Sequence, residues 1–175
     1  MRRIPLTLLL MLATGGLSLT AQTTPTAASP TPVHANVNQL MRGVLYPAAN
    51  VVFFPQSENP ETVKQAPDPG MATDPLTSTF GGWQAVENAS LALAESANLL
   101  LVPGRTCANG VPAPVTDPEW VKFVGEVRDA GLQAYKLAQA KDREKLSDYS
   151  ETISNSCGHC HRKWRDRRTA ANHCK

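Results

Sequence analysis

Apolar residues recur at helical spacing in four stretches of this chain, and nowhere do they alternate strictly as a half-buried strand requires. The first stretch, Val33, Val37, Leu40, Met41, Val44, Leu45 and Ala48, predicts a helix that begins near Pro32 or Val33 and closes at Val51 to Phe54 before Pro55. Pro47 should kink or break it, because proline lacks the donor for the carbonyl one turn back. The second helix is expected from Trp83 to Leu101, after Gly81-Gly82, with Val86, Ala89, Leu93, Ala97 and Leu100 on one face and Pro103-Gly104 as its stop. Thr116-Asp117-Pro118-Glu119 has the form of a capping box and opens a third helix, which carries Trp120, Phe123, Val124, Val127, Ala130, Gly131, Ala134 and Leu137 to about Ala140. After a turn at Lys141-Asp142, the fourth helix aligns Leu146, Tyr149, Ile153, Cys157, Cys160 and Trp164, and ends near Arg168. Four amphipathic helices and no strand predict an all-α fold, an antiparallel up-down-up-down four-helix bundle.

The rest of the chain is punctuation. Residues 55–80 carry Pro55, Pro60, Pro67, Pro69 and Pro75 among Asp, Asn, Ser and Thr, and read as a long connection rather than an element. Residues 1–21 read as a signal peptide: Arg2-Arg3, a Leu-rich apolar run from Ile4 to Ala13, and small residues from Ser18 to Ala21. That apolar run, ended by Gly15-Gly16, is short for a bilayer span, so no stable membrane insertion of the mature chain is expected. Residues 22–32 form a flexible proline-spaced linker, and residues 33–175 the folded domain. Losing Arg2 and Arg3 brings 17 basic residues down to 15, against 15 acidic ones. A near-neutral mature protein argues against a nucleic-acid partner, which would select a broad basic surface.

The chemistry concentrates at Cys157-Gly158-His159-Cys160-His161. On a helix, Cys157, Cys160 and His161 project from one face, at i, i+3 and i+4. Cys-x-x-Cys-His is the attachment signature of a c-type haem, with two thiols for the vinyl groups and an adjacent His for the iron. Three other readings use the same residues. A thioredoxin-like dithiol needs a βαβ continuation, for which the residues after Cys160 leave no room. A zinc site would take Cys157, Cys160, His173 and Cys174, but lacks a second terminal His and a hairpin. The plainest reading is an ordinary thiol pair on a helix. Export agrees with the haem, since c-type maturation takes place outside the bacterial cytoplasm.

The motif continues as His161-Arg162-Lys163-Trp164-Arg165, and on the last helix of an exported four-helix domain it resembles the class II cytochromes c, the cytochrome c′ group and its low-spin relatives. Their pattern is Cys-x-x-Cys-His-x-x-aromatic-basic, usually with Tyr or Phe where this chain has Trp164. The resemblance covers roughly residues 33–168. It implies one covalent haem c near the end of the last helix, with thioethers at Cys157 and Cys160, His161 as proximal ligand and a basic residue, Arg165, near the proximal side. In the low-spin members a Met on the first helix is the distal ligand, which here points to Met41; the alternative is that Met41 is only core packing. Met71, His34 and His173 are lesser candidates. The resemblance further implies a periplasmic one-electron carrier serving exported redox partner proteins rather than an enzyme, with a homodimer as a possible assembly. The other class of function is a five-coordinate gas-binding protein for nitric oxide or carbon monoxide.

Cys107 and Cys174 remain once the haem has its pair. In an oxidising compartment two spare cysteines suit a disulfide, and an up-down-up-down bundle puts the loop after the second helix and the end of the fourth at the same end. Two unpaired thiols are the alternative. The basic residues Arg162, Lys163, Arg165, Arg167 and Arg168 read as partners for the haem propionates, as a patch steering an acidic partner, or as a solvated helix end that suits the dipole.

Overall fold

A computed structural model of the chain describes residues 32–166 and Cys174. The expected signal peptide and most of the linker lie outside the described residues, as do Arg167, Arg168 and His173.

The first helical run comprises α1 (Val37–Leu40), a π-helical turn (Met41–Leu45) and α2 (Tyr46–Phe53). It starts at Val37, later than the apolar spacing suggests, because Asn36 caps it: the Asn36 side chain accepts from the Gln39 amide at 2.8 Å, and the Gln39 side chain accepts from the Asn36 amide at 3.0 Å. The Val37 amide is also anchored elsewhere, donating to the Thr106 carbonyl at 2.9 Å. Pro47 does not break the helix. The Tyr46 amide donates five residues back to the Met41 carbonyl, and this widened turn ends where Pro47 would otherwise need a donor.

The proline-rich connection is built, rather than structureless. It folds into four single 3₁₀ turns, Phe54–Gln56, Pro60–Thr62, Pro69–Met71 and Pro75–Thr77. Three of them open on the proline itself, whose fixed φ suits the first position of a helical turn. Asn59 and Asp74 cap two of the turns by accepting from the Glu61 and Leu76 amides, each at 3.0 Å. Pro55, Pro60 and Leu76 are buried, and the Pro55 carbonyl accepts from Arg143 Nε at 2.8 Å and from Ser147 Oγ at 3.2 Å. The connection is thereby tied to the last long helix.

The remaining helices are α3 (Trp83–Leu99), α4 (Pro118–Gln139) and α5 (Arg143–Cys160), and α5 passes into a second π-helical turn, His161–Arg165. Gly82 caps α3 with φ at 59°, and a Cβ there would fall 2.8 Å from the Pro60 carbonyl oxygen. The cap of α4 is Asp117 rather than Thr116: its carboxylate accepts from the Glu119 and Trp120 amides at 2.8 and 3.3 Å. Pro118 fills the first helical position directly after it, which moves the start by one residue. At the other end of α4, Lys141 adopts φ 53° and the Asp142 amide donates to the Leu137 carbonyl at 3.1 Å, a closure that usually recruits glycine.

Among the described residues the protein is all-helical, without a β-strand, and four helices pack together. The first run lies on α3, α3 on α4, α4 on α5, and α5 touches α2. At the crossing of α3 and α4, a Cβ on Gly131 would come 2.8 Å from the Ala94 backbone nitrogen. The missing side chain, with Ala97, Ala130 and Ala134 buried nearby, sets that close approach. Leu93, Val86, Val124, Leu146 and Ile153 are fully buried in the core. No described helix is long and apolar enough to cross a membrane.

Candidate functional site

The end of α5 and the start of the first helical run face each other across a cavity of about 790 Å³. This lies within the usual range for ligand pockets, about 300–1,000 Å³. Cys157, Cys160 and His161 line it from the α5 side, and Met41 lines it from the other. Helix α3 contributes Leu93 and its C-cap Leu100, and α4 contributes Trp120, Val124 and Val127, so neither brings a titratable group to the wall. Met41 and His161 each open one of the two π-helical turns. Such turns are rare and are found mostly at functional sites.

Burial dominates the electrostatics. Cys157 and Cys160 are unpaired and partly buried. Burial, partly offset by a hydrogen bond to Ser156, raises the Cys157 thiol above its ordinary value. Burial, with the nearby Cys157 and Glu126 adding to it, pushes Cys160 up to about 12. Both are therefore protonated at neutral pH, so they are weak nucleophiles and poor ligands for a metal as they stand. Burial, and then Arg165, lower the His161 pKa and favour neutral imidazole. Arg165 Nη1 donates to His161 Nδ1 at 2.9 Å. Because a guanidinium can only donate, the ring proton in this arrangement sits on Nε2.

An aromatic cluster backs the α5 side. Trp164 is buried and meets Trp120 edge-on with ring centroids 5.1 Å apart, and Phe123 at 5.8 Å. The Trp120 indole N–H donates to the Leu100 carbonyl at 3.0 Å. Lys163 lies 4.6 Å above the Trp164 ring and pairs with Glu119. His159, between the two cysteines in sequence, contacts Glu126 at 2.6 Å through Nδ1 and stacks near Phe123.

The structure brings Cys157, Cys160, His161, Met41 and Arg165 to one cavity. His34 is exposed and Met71 is 78% exposed, and neither lines it. Cys107 and Cys174 stand at disulfide distance with Cα atoms 4.7 Å apart, and Cys174 also reaches the cavity wall. That pairing removes Cys174 from any zinc set, and among the described residues no group of three or more His, Cys, Asp or Glu side chains gathers as a metal site. Sequence reasoning missed Arg42, next to Met41, and the pairing of Glu126 with His159. A helical projection would have caught Arg42. No local pattern announces a contact between residues 33 apart.

No family model, no curated protein and no solved structure matches this chain.

Proposed function

We propose that the protein is an exported, periplasmic monohaem c-type cytochrome that transfers single electrons between exported redox partners, on an antiparallel up-down-up-down four-helix bundle. The observation that carries this reading is the convergence of Cys157, Cys160, His161 and Met41 on one largely apolar cavity of about 790 Å³. The up-down order is supported by the three residues between α4 and α5, too few for anything but a hairpin of neighbouring helices. A haem c held there supplies an iron couple that takes up and gives up one electron.

In this reading Cys157 and Cys160 would hold the group as thioethers, which removes two partly buried, protonated thiols from the cavity wall. His161 serves as the ligand from the α5 side. To offer Nε2 to a metal, the imidazole has to move its proton to Nδ1, so Arg165 must give up the 2.9 Å bond it donates there. Met41 offers a soft thioether from the facing helical run, a ligand that raises the reduction potential relative to weaker axial partners. Both ligands sit on packed helices, so a change of charge at the site needs little movement. The apolar walls from α3 and α4 keep water from the centre of the cavity.

Carbon monoxide titration of the reduced protein tests the distal assignment. Resistance to carbon monoxide supports an electron carrier closed by Met41. Prompt binding at full occupancy opens the distal position and makes the protein a five-coordinate gas-binding module instead.

A further inference from the structure

We propose that Arg42 and Arg162, one on each wall of the cavity, form a pair of cationic clamps that hold the two carboxylates of the bound haem. The proposal rests on the haem reading and deepens it. Three guanidinium groups line this cavity, those of Arg42, Arg162 and Arg165. The third is engaged with Asp166 and with His161 Nδ1. Among the described residues, neither Arg42 nor Arg162 makes a hydrogen bond or ion pair. The other walls cannot supply a counter-ion, since α3 and α4 bring only apolar and aromatic side chains, and the one acid on the lining, Asp166, is taken by Arg165.

The placement is ordered. Each arginine directly follows a candidate iron ligand, Arg42 after Met41 and Arg162 after His161, and each occupies the second position of a π-helical turn. The Arg162 side chain folds back over Gly158, where a Cβ would fall 2.7 Å from its Nη1. Glycine between the two cysteines therefore leaves the guanidinium room at the cavity edge. Both arginines are exposed at the cavity rim, and the one acid among the described lining residues, Asp166, is paired with Arg165; two free cations at the rim suit a dianionic ligand, and planar guanidinium forks suit carboxylates.

The test uses the full chain matured with its covalent haem, comparing wild type with Arg42→Gln, Arg162→Gln, the charge-keeping Arg42→Lys and Arg162→Lys, and Arg128→Gln as a surface-charge control outside the cavity. Resonance Raman spectra should show the propionate bending bands moving to lower frequency in each Gln variant. The midpoint potential of each should fall by an equilibrium shift of about tenfold, about 59 mV for one electron. The Lys variants should recover most of that shift, and Arg128→Gln should leave both readouts unchanged. Unmoved propionate bands in both Gln variants overturn the clamp. So does a Gln variant that keeps its bands and potential and only slows electron exchange with an acidic partner, an outcome that makes the arginines a docking patch. A chain that carries no covalent haem after maturation fails at the haem reading itself, a result distinct from either.

Discussion

Replacing Trp164 with alanine should cost the fold a large part of its stability, because this one side chain closes the core behind the candidate site. Trp164 is 6% exposed and is held edge-on against Trp120 and Phe123, at 5.1 and 5.8 Å between centroids. A large aromatic of this kind takes about 150–250 Å² out of water, which at ~25 cal/mol per Å² is about 4–6 kcal/mol. The surface that alanine keeps buried and the compactness of the unfolded chain bring the expected loss to about 3–5 kcal/mol. Set against a total stability of about 5–15 kcal/mol, that is enough to lower the melting temperature by about 10–20 °C. Trp164→Phe keeps an aromatic edge toward Phe123 and should cost about 1–2 kcal/mol. Urea unfolding followed by far-ultraviolet circular dichroism gives both values, with an unchanged slope showing that the unfolded state is the same. A loss below about 1 kcal/mol for the alanine variant would mean that Trp164 is not a packed core residue, and the account of how α4 and α5 are joined would fail.

Three further outcomes follow from the same geometry. Met41→Ala should turn a six-coordinate low-spin spectrum into a five-coordinate high-spin one, and an unchanged spectrum removes Met41 from the iron. Breaking the Cys107–Cys174 pair, 67 residues apart in sequence, should cost up to about 4 kcal/mol by loop-closure entropy; unfolding Cys107→Ser and Cys174→Ser beside wild type measures this, and two alkylatable thiols in the native wild type would show that no bridge forms. In chain made without haem attachment, Cys157 and Cys160 should alkylate slowly at neutral pH and faster as pH rises, Cys160 lagging toward its value of about 12, because only the thiolate reacts and burial holds both thiols protonated. Rapid alkylation of both at pH 7 would contradict that burial.

The helices themselves were legible because each announces itself locally. The stripe from Trp120 to Leu137 lies within α4, and α3 begins at Trp83 as expected but ends at Leu99, before the expected Leu101. Boundaries set by side-chain caps were less legible: Asn36 and Asp117 decide the starts of α1 and α4, and the apolar stripe alone suggested an earlier start for the first. Pro47 reads as a break in one dimension, but a helix can absorb it by widening a turn, and apolar spacing does not encode that choice. The prolines of residues 55–80 were legible as punctuation; that they are tied down depends on Arg143 and Ser147, some 90 residues away, reaching the Pro55 carbonyl. Arg105 gave no signal at all. It sits in a loop, yet it is buried and donates to the Leu99 and Ala35 carbonyls, joining the end of α3 to the start of the first run. At the site, the spacing of Cys157, Cys160 and His161 sufficed to put them on one face; Met41 on the second wall was reached only through the family resemblance, and Arg42 beside it was missed because tertiary packing alone brings that wall to the cavity.

The central claim is that Cys157 and Cys160 carry a haem, and mass spectrometry of the peptide spanning them tests it most directly. The chain is exported in a host competent for c-type maturation, digested, and analysed beside an alkaline pyridine haemochrome spectrum. The account predicts a single haem added to the peptide that holds both cysteines, a c-type haemochrome, and no alkylatable thiol at either position. An unmodified peptide with two alkylatable thiols and no haemochrome would contradict it.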